Sequence, residues 1–238
     1  MNMPDLFHGG HCRWQDRYSC RFFVFSEKIF SVSALGRGHA WTYGKESRMK
    51  ALEEKILREG KVLPGGVLKV GGFLNQQIDS AFLMEMGRDI ADAFRADGVT
   101  KVLTVEASGI AFAVAAAVAL GVPIVFAKKH KTLNVDSETY SANVASFTHG
   151  TTYDIRVPKE YITPEDRILI VDDFLACGNA IKGLCAIVKD AGATVVGASA
   201  AIEKGFQKGG DALRKAGLKV HSLAIVESMD DSGITFRA

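Results

Sequence analysis

A succession of short, continuous apolar runs separated by helical stretches is the feature that most restricts the fold. KVLTV (101–105), PIVFA (123–127), RILIV (167–171), TVVGASAAI (194–202) and KVHSLAIV (219–226) lack the alternation of a strand with one wet face. Strands of that kind, with helices between them, belong to a parallel sheet covered on both sides. The helices are legible too. SAFLMEMGRDIADAFR (80–95) has apolar residues at helical spacing, with Asp79 as N-cap and Gly98 beyond its end. An Ala-rich helix follows KVLTV and ends at Gly121, and a third helix spans 179–190 before Gly192. DALRKAG (211–217) makes a fourth. Residues 129–158 break the rhythm: NVASF and YDIRV read as an antiparallel hairpin flanking a flexible loop. The fold class is therefore α/β, with a central, mostly parallel sheet flanked by helices.

Composition agrees with this class. The chain has 238 residues, 47% hydrophobic and 24% charged, enough for one large domain or two small ones. Ile110 to Leu120 is the longest apolar run, shorter than the roughly 18 residues that a membrane span needs. The formal charge is +2, and residues 49–238 carry 22 basic against 23 acidic side chains. That balance argues against a broad nucleic-acid-binding face. Cys12, Cys20, Cys177 and Cys185 form no CxxC, and no His stands at zinc-finger spacing, so they read as free thiols in a reducing cytosol. The N-terminus lacks the basic start and apolar stretch of a secretory signal, and a cytoplasmic location is expected.

Residues 1–48 differ from the rest: they hold both tryptophans and nine of the 21 aromatics, without sustained periodicity. MKALEEKILREG then starts a helix at Met49, with Leu52, Ile56 and Leu57 on one face and Gly60 as the stop. Two segments are expected, a poorly ordered N-terminal extension (1–48) and a folded domain (49–238). His8, His11, Cys12 and Cys20 match no known ligand spacing.

Ligands of an open α/β sheet bind at the carboxyl ends of its strands, so the turns there matter most. ILIVDDFLACGNA (168–180) joins a buried strand, two adjacent carboxylates and a run of small residues opening a helix. Asp172 and Asp173 point apart at a strand end and can reach two neighbouring hydroxyls of a sugar. The backbone N–H groups of Ala176, Cys177, Gly178, Asn179 and Ala180 can close around an anion at the helix N-terminus. Together these describe a ribose 5-phosphate site. Neither GxxxxGK[ST] nor a strand followed by GxGxxG occurs, which removes the common nucleotide motifs.

The same stretch resembles the signature of the type I phosphoribosyltransferases, which bind phosphoribosyl pyrophosphate (PRPP). MKALEEKILREGKVL, VLKVGGFLNQQID, VEASGIA, VFAKKHKTL, VDDFLACGNA and IEKGFQ resemble, in order and spacing, the bacterial xanthine-using members of that family. The likeness begins at Met49 and covers nearly all of 49–238. It implies the type I fold with a small hood, and transfer of ribosyl 5-phosphate from PRPP to N9 of xanthine, giving XMP and pyrophosphate. It also implies that Leu68, Asn75 and Lys204 grip the base, and that residues 176–180 hold the 5-phosphate. Ala107, Ser108 and Gly109 would approach the pyrophosphate. The catalytic set it implies is Asp172 and Asp173 with Lys129 and Lys131 of KKHK, a loop that closes over pyrophosphate. Mg²⁺ would arrive with PRPP rather than on fixed protein ligands, and the assembly would be a homodimer, with no nucleic acid or membrane as partner. Members of the family usually carry Asn-Gly-Gln where this chain has Cys177, Gly178 and Asn179; because backbone donors bind, the change should matter little.

The chemistry of these residues fits. A lysine at position 204 can donate to the 6-oxo oxygen or N7 of an oxopurine and repels an amino group, while its neighbour Glu203 reads as a solvated acid. Asn75 offers a donor and an acceptor, so it meets the 2-oxo group of xanthine or the 2-amino group of guanine equally well. Leu68 packs on the base or only on the hood, and Phe174 stacks on the base or fills the core. Hypoxanthine or guanine thus remains an alternative substrate. In a different class stands a PRPP-sensing transcription regulator, but residues 1–48 show no helix-turn-helix pattern.

Overall fold

The structure, a computed structural model, describes residues 45–129, 138–145, 152–230 and 233–237. The expectations for 1–44 and for Lys131 lie outside these residues. α1 (Lys45–Glu59) starts a turn before Met49. It buries Leu52 and Ile56, one helical turn apart, but Leu57 is 56% exposed, contrary to the single face expected. A residue next in sequence is rotated about 100° around the axis, and the stripe is too narrow to include it. The helix leads into a small antiparallel hood, β1 (Lys61–Leu63) with β2 (Val67–Lys69), which carries no strand signal of its own in the sequence.

α2 (Ser80–Phe94) opens as expected, the Asp79 carboxylate accepting the Phe82 N–H at 3.1 Å. It closes with a tight turn before Gly98, whose φ of 64° suits a residue without Cβ. Then come β3 (Lys101–Val105), α3 (Gly109–Leu120) and β4 (Ile124–Ala127). β5 (Thr139–Ala145) and β6 (Thr152–Pro158) form the antiparallel hairpin that the alternating stretches foretold. β7 (Arg167–Leu175), α4 (Asn179–Asp190), β8 (Thr194–Lys204), α5 (Gly209–Lys215), β9 (Val220–Asp230) and β10 (Gly233–Phe236) complete the described chain.

Six strands make the central sheet in the order β10-β9-β8-β7-β3-β4, all parallel except β10. Consecutive residues of β7 serve opposite faces. Leu169 and Val171 join a core with Ile90, Phe94 and Phe112 on the side of α1, α2 and α3. Ile168 and Ile170 join Leu184, Ile187 and Ile155 on the side of α4 and the hairpin. This two-sided burial is why the strands read as continuous apolar runs. The register of β3 on β7 is pinned at the far end of the sheet, where Asp166 accepts from Thr100 Oγ1 at 3.1 Å and Lys101 Nζ at 2.8 Å. All described residues belong to one compact unit, Thr42–Ala238.

Candidate functional site

Strand order reverses between β3 and β7, since β3 is followed on one side by β4 and on the other by β7. The ladder between them ends at Leu103 and Ile170, short of both carboxyl ends, and the crevice at such a switch point is where an open α/β sheet receives its ligand. β7 extends beyond the RILIV run, so Asp172, Asp173 and Phe174 are still strand residues, Asp172 and Phe174 being paired with Ala200 and Ile202 of the continuing β8. Strand geometry turns their side chains alternately. Asp172 is 6% exposed and its Oδ1 accepts the N–H of Asp173 at 2.9 Å. Burial and the charge of Asp173 push its carboxyl well above the usual range, with Lys129 pulling the other way. Asp173 faces the hood instead, where Asn75 Nδ2 donates to its Oδ2 at 3.4 Å.

The loop after β3 presses on the same carboxylate. A Cβ on Gly109 would overlap Thr104 Oγ1 and lie 2.8 Å from Asp172 Oδ1, so only glycine lets α3 begin this close. Ala107 and Ser108 precede it at the surface of the crevice, and the Glu106–Ala107 peptide is cis. Glu106 ties this loop to the end of β4: its N–H donates to Ala127 O at 3.0 Å, and its Oε1 accepts the Lys129 N–H at 2.6 Å.

After β7 the chain turns through Ala176, Cys177 and Gly178 into α4. Gly178 has φ 77° and packs against Leu213, and α5 closes on the turn from behind. The Asn179 side chain donates to Ala145 O at 3.0 Å, tying the hairpin to the start of α4. Cys177 Sγ lies 3.7 Å from Gln207 Oε1. Backbone N–H groups at a helix start with no side-chain cap suit a phosphate.

Lys204, the last residue of β8, donates to the Gly66 carbonyl of the hood at 3.0 Å and stands 5.6 Å from the Phe174 ring centre. Partial burial lowers its ammonium pKa. Leu68 is buried in the α1–α2–α3 core, and Phe174 packs partly against that core while its ring faces Lys204. The crevice thus gathers Asn75, residues 107–109, Lys129, Asp172, Asp173, residues 176–180 and Lys204. Glu203 corrects the reading of a solvated acid. It is 0% exposed, bound by Arg214 at 2.8 and 2.6 Å and by Ser222 Oγ at 2.5 Å. A carboxylate inside a run buried on both faces has to be paired, and that signal was present in AAIEK. Tyr153, beside Lys129, went unnoticed because a hairpin tyrosine looks like any other strand residue.

A sheet with this order, an acid pair at its switch point and a small-residue turn opening α4 define an enzyme that handles a phosphorylated sugar. The family model for the phosphoribosyl transferase domain matches residues 75–230, and the chain belongs to the phosphoribosyltransferase family. A xanthine phosphoribosyltransferase of Brevibacillus brevis is 53% identical over 188 residues, 79% of this chain and 96% of that protein. One from Bacillus cereus is 50% identical over 188 residues, 79% of this chain and 95% of its own length. Adenine phosphoribosyltransferases share the fold. That of Rhodothermus marinus has a TM-score of 0.61 at 21% identity, covering 76% of this chain and 99% of the other. The Trypanosoma brucei structure scores 0.62 at 19% identity, covering 76% and 82%.

Proposed function

We propose that this chain transfers the ribosyl 5-phosphate of PRPP to N9 of xanthine, releasing pyrophosphate and forming XMP. The observation that carries the choice of base is Lys204, a half-buried ammonium fixed between the hood carbonyl of Gly66 and the ring of Phe174. A partly desolvated cation favours an oxo acceptor and disfavours the amino group of adenine. The bond of Asn75 to Asp173 supports a role beside the ribose, where its carbonyl or amide would meet the 2-substituent of the base. The names of the half-identical relatives support the same base.

Loss of pyrophosphate builds positive charge on the sugar ring. Asp172 and Asp173 orient the ribose hydroxyls and steady that charge, while residues 176–180 hold the 5-phosphate through backbone donors. Residues 107–109 receive the pyrophosphate, and Lys129, with Lys131, neutralises it as it leaves. Among the described residues no group of three His, Cys, Asp or Glu side chains is arranged to hold an ion. Mg²⁺ brought in by PRPP would be held beside the carboxylates of Asp172 and Asp173, the acid pair at the end of β7. Bound in that way, the ion supplies charge neutralisation of the departing pyrophosphate. The reading includes a cytoplasmic homodimer, whose dimeric state sedimentation would test.

The experiment is steady-state transfer from PRPP and Mg²⁺ to xanthine, guanine, hypoxanthine and adenine in parallel. Xanthine is expected to give the highest kcat/KM. Lys204→Met should cut that value by roughly 10- to 100-fold, the worth of a hydrogen bond to a charged group. A preference for guanine or hypoxanthine would keep the mechanism and replace the substrate.

A further inference from the structure

Tyr153, read from the sequence only as part of the hairpin stretch YDIRV, reaches the reaction end of the sheet. It sits on β6 opposite Val144, half-buried, with Lys129 Nζ 5.2 Å from its ring centre. Lys129 is tied through Glu106 to the loop whose Gly109 lies against the Asp172 carboxylate, which sets the pair at the Asp172 end of β7.

The backbone of Lys129 is fixed separately. Its N–H is held by Glu106, and Lys128 exchanges two N–H···O bonds of 2.9 Å with Arg156 of β6. The end of β4 is thereby stitched to the pyrophosphate loop on one side and to the hairpin on the other. What remains free is the long, flexible lysine stem. We propose that Tyr153 is a positioning residue, its ring holding the Lys129 ammonium over the Asp172 end of β7, where pyrophosphate departs.

An aromatic face suits this task better than a carboxylate would. It attracts the cation through its quadrupole, without cancelling the charge or occupying the three N–H donors. Both remain available for the oxygens of the leaving group. The proposal rests on the reading of Lys129 as the cation that meets pyrophosphate, and it adds the residue that keeps it there.

The test is kcat and KM, with PRPP, Mg²⁺ and xanthine, for the parent, Tyr153→Phe, Tyr153→Leu, Lys129→Met and the double variant Lys129→Met/Tyr153→Leu. Tyr153→Phe keeps the ring and is expected within about twofold of the parent. Tyr153→Leu should lower kcat by roughly 3- to 30-fold, the range of a cation–π contact, with KM for xanthine unchanged. On the Lys129→Met background it should cost nothing further. Three results would overturn the proposal: Phe as damaging as Leu, Leu as active as the parent, or an equal loss with and without Lys129. An unimpaired Lys129→Met would remove the role of that lysine and the proposal together. A parent chain that transfers to no purine would instead fail the proposed function itself.

Discussion

Asp172 holds its place against the preference of its own charge. Burial and the neighbouring Asp173 raise its carboxyl pKa in the folded chain. As pH rises above about 4, the unfolded chain ionises first, so stability falls until the folded pKa is passed. Asp172→Asn removes that cost and keeps an oxygen to accept the Asp173 N–H. Calorimetry should show a higher Tm than the parent at pH 7, the difference closing toward pH 4, while kcat drops by about a hundredfold with the loss of charge beside the ribose. A lower Tm at pH 7 would mean that the carboxylate is stabilised where it stands. Glu203 makes the contrast: it is as deeply buried, but Arg214 and Ser222 satisfy it from α5 and β9.

α5 acts on the site through its first residue. A Cβ on Gly209 would overlap the Ala176 carbonyl oxygen and stand 2.7 Å from the Gly178 nitrogen, within the turn proposed to bind the 5-phosphate. Gly209→Ala therefore has to push α5 or that turn aside, an overpacking that costs about 1–3 kcal/mol. KM for PRPP should rise several-fold with a lowered Tm; an unchanged KM would move the phosphate contact away from residues 176–178. The glycine was visible in the sequence, but its reason was not. DALRKAG suggested a helix starting after it, and only the packing of α5 on the β7–α4 turn shows why the position carries no side chain.

Both cores and all the described site residues lie between Lys45 and Arg237, within the unit Thr42–Ala238. A chain beginning at Thr42 behind an initiator Met should therefore keep kcat/KM for xanthine within about twofold of the full chain. Starting at Met49 removes the first turn of α1 and is expected to lower Tm. A large loss of activity in the chain that begins at Thr42 would give residues 1–41 a role in the reaction. The sequence by itself determined the parallel sheet, most helix boundaries and the acid pair with its small-residue turn, because each is a local pattern: two-sided strand burial, caps and glycine stops, or a short contiguous motif. Tertiary structure alone decided which partners those residues meet. It set Asp172 against α3 and Asp173 against Asn75, buried Glu203 under Arg214, left Leu57 in solvent and brought Tyr153 to Lys129. It also added the hood strands and β10, which are too short to carry a periodicity. Contacts between residues 20 to 140 positions apart depend on strand order and on the register pinned at Asp166, and neither is written in any local stretch of the chain.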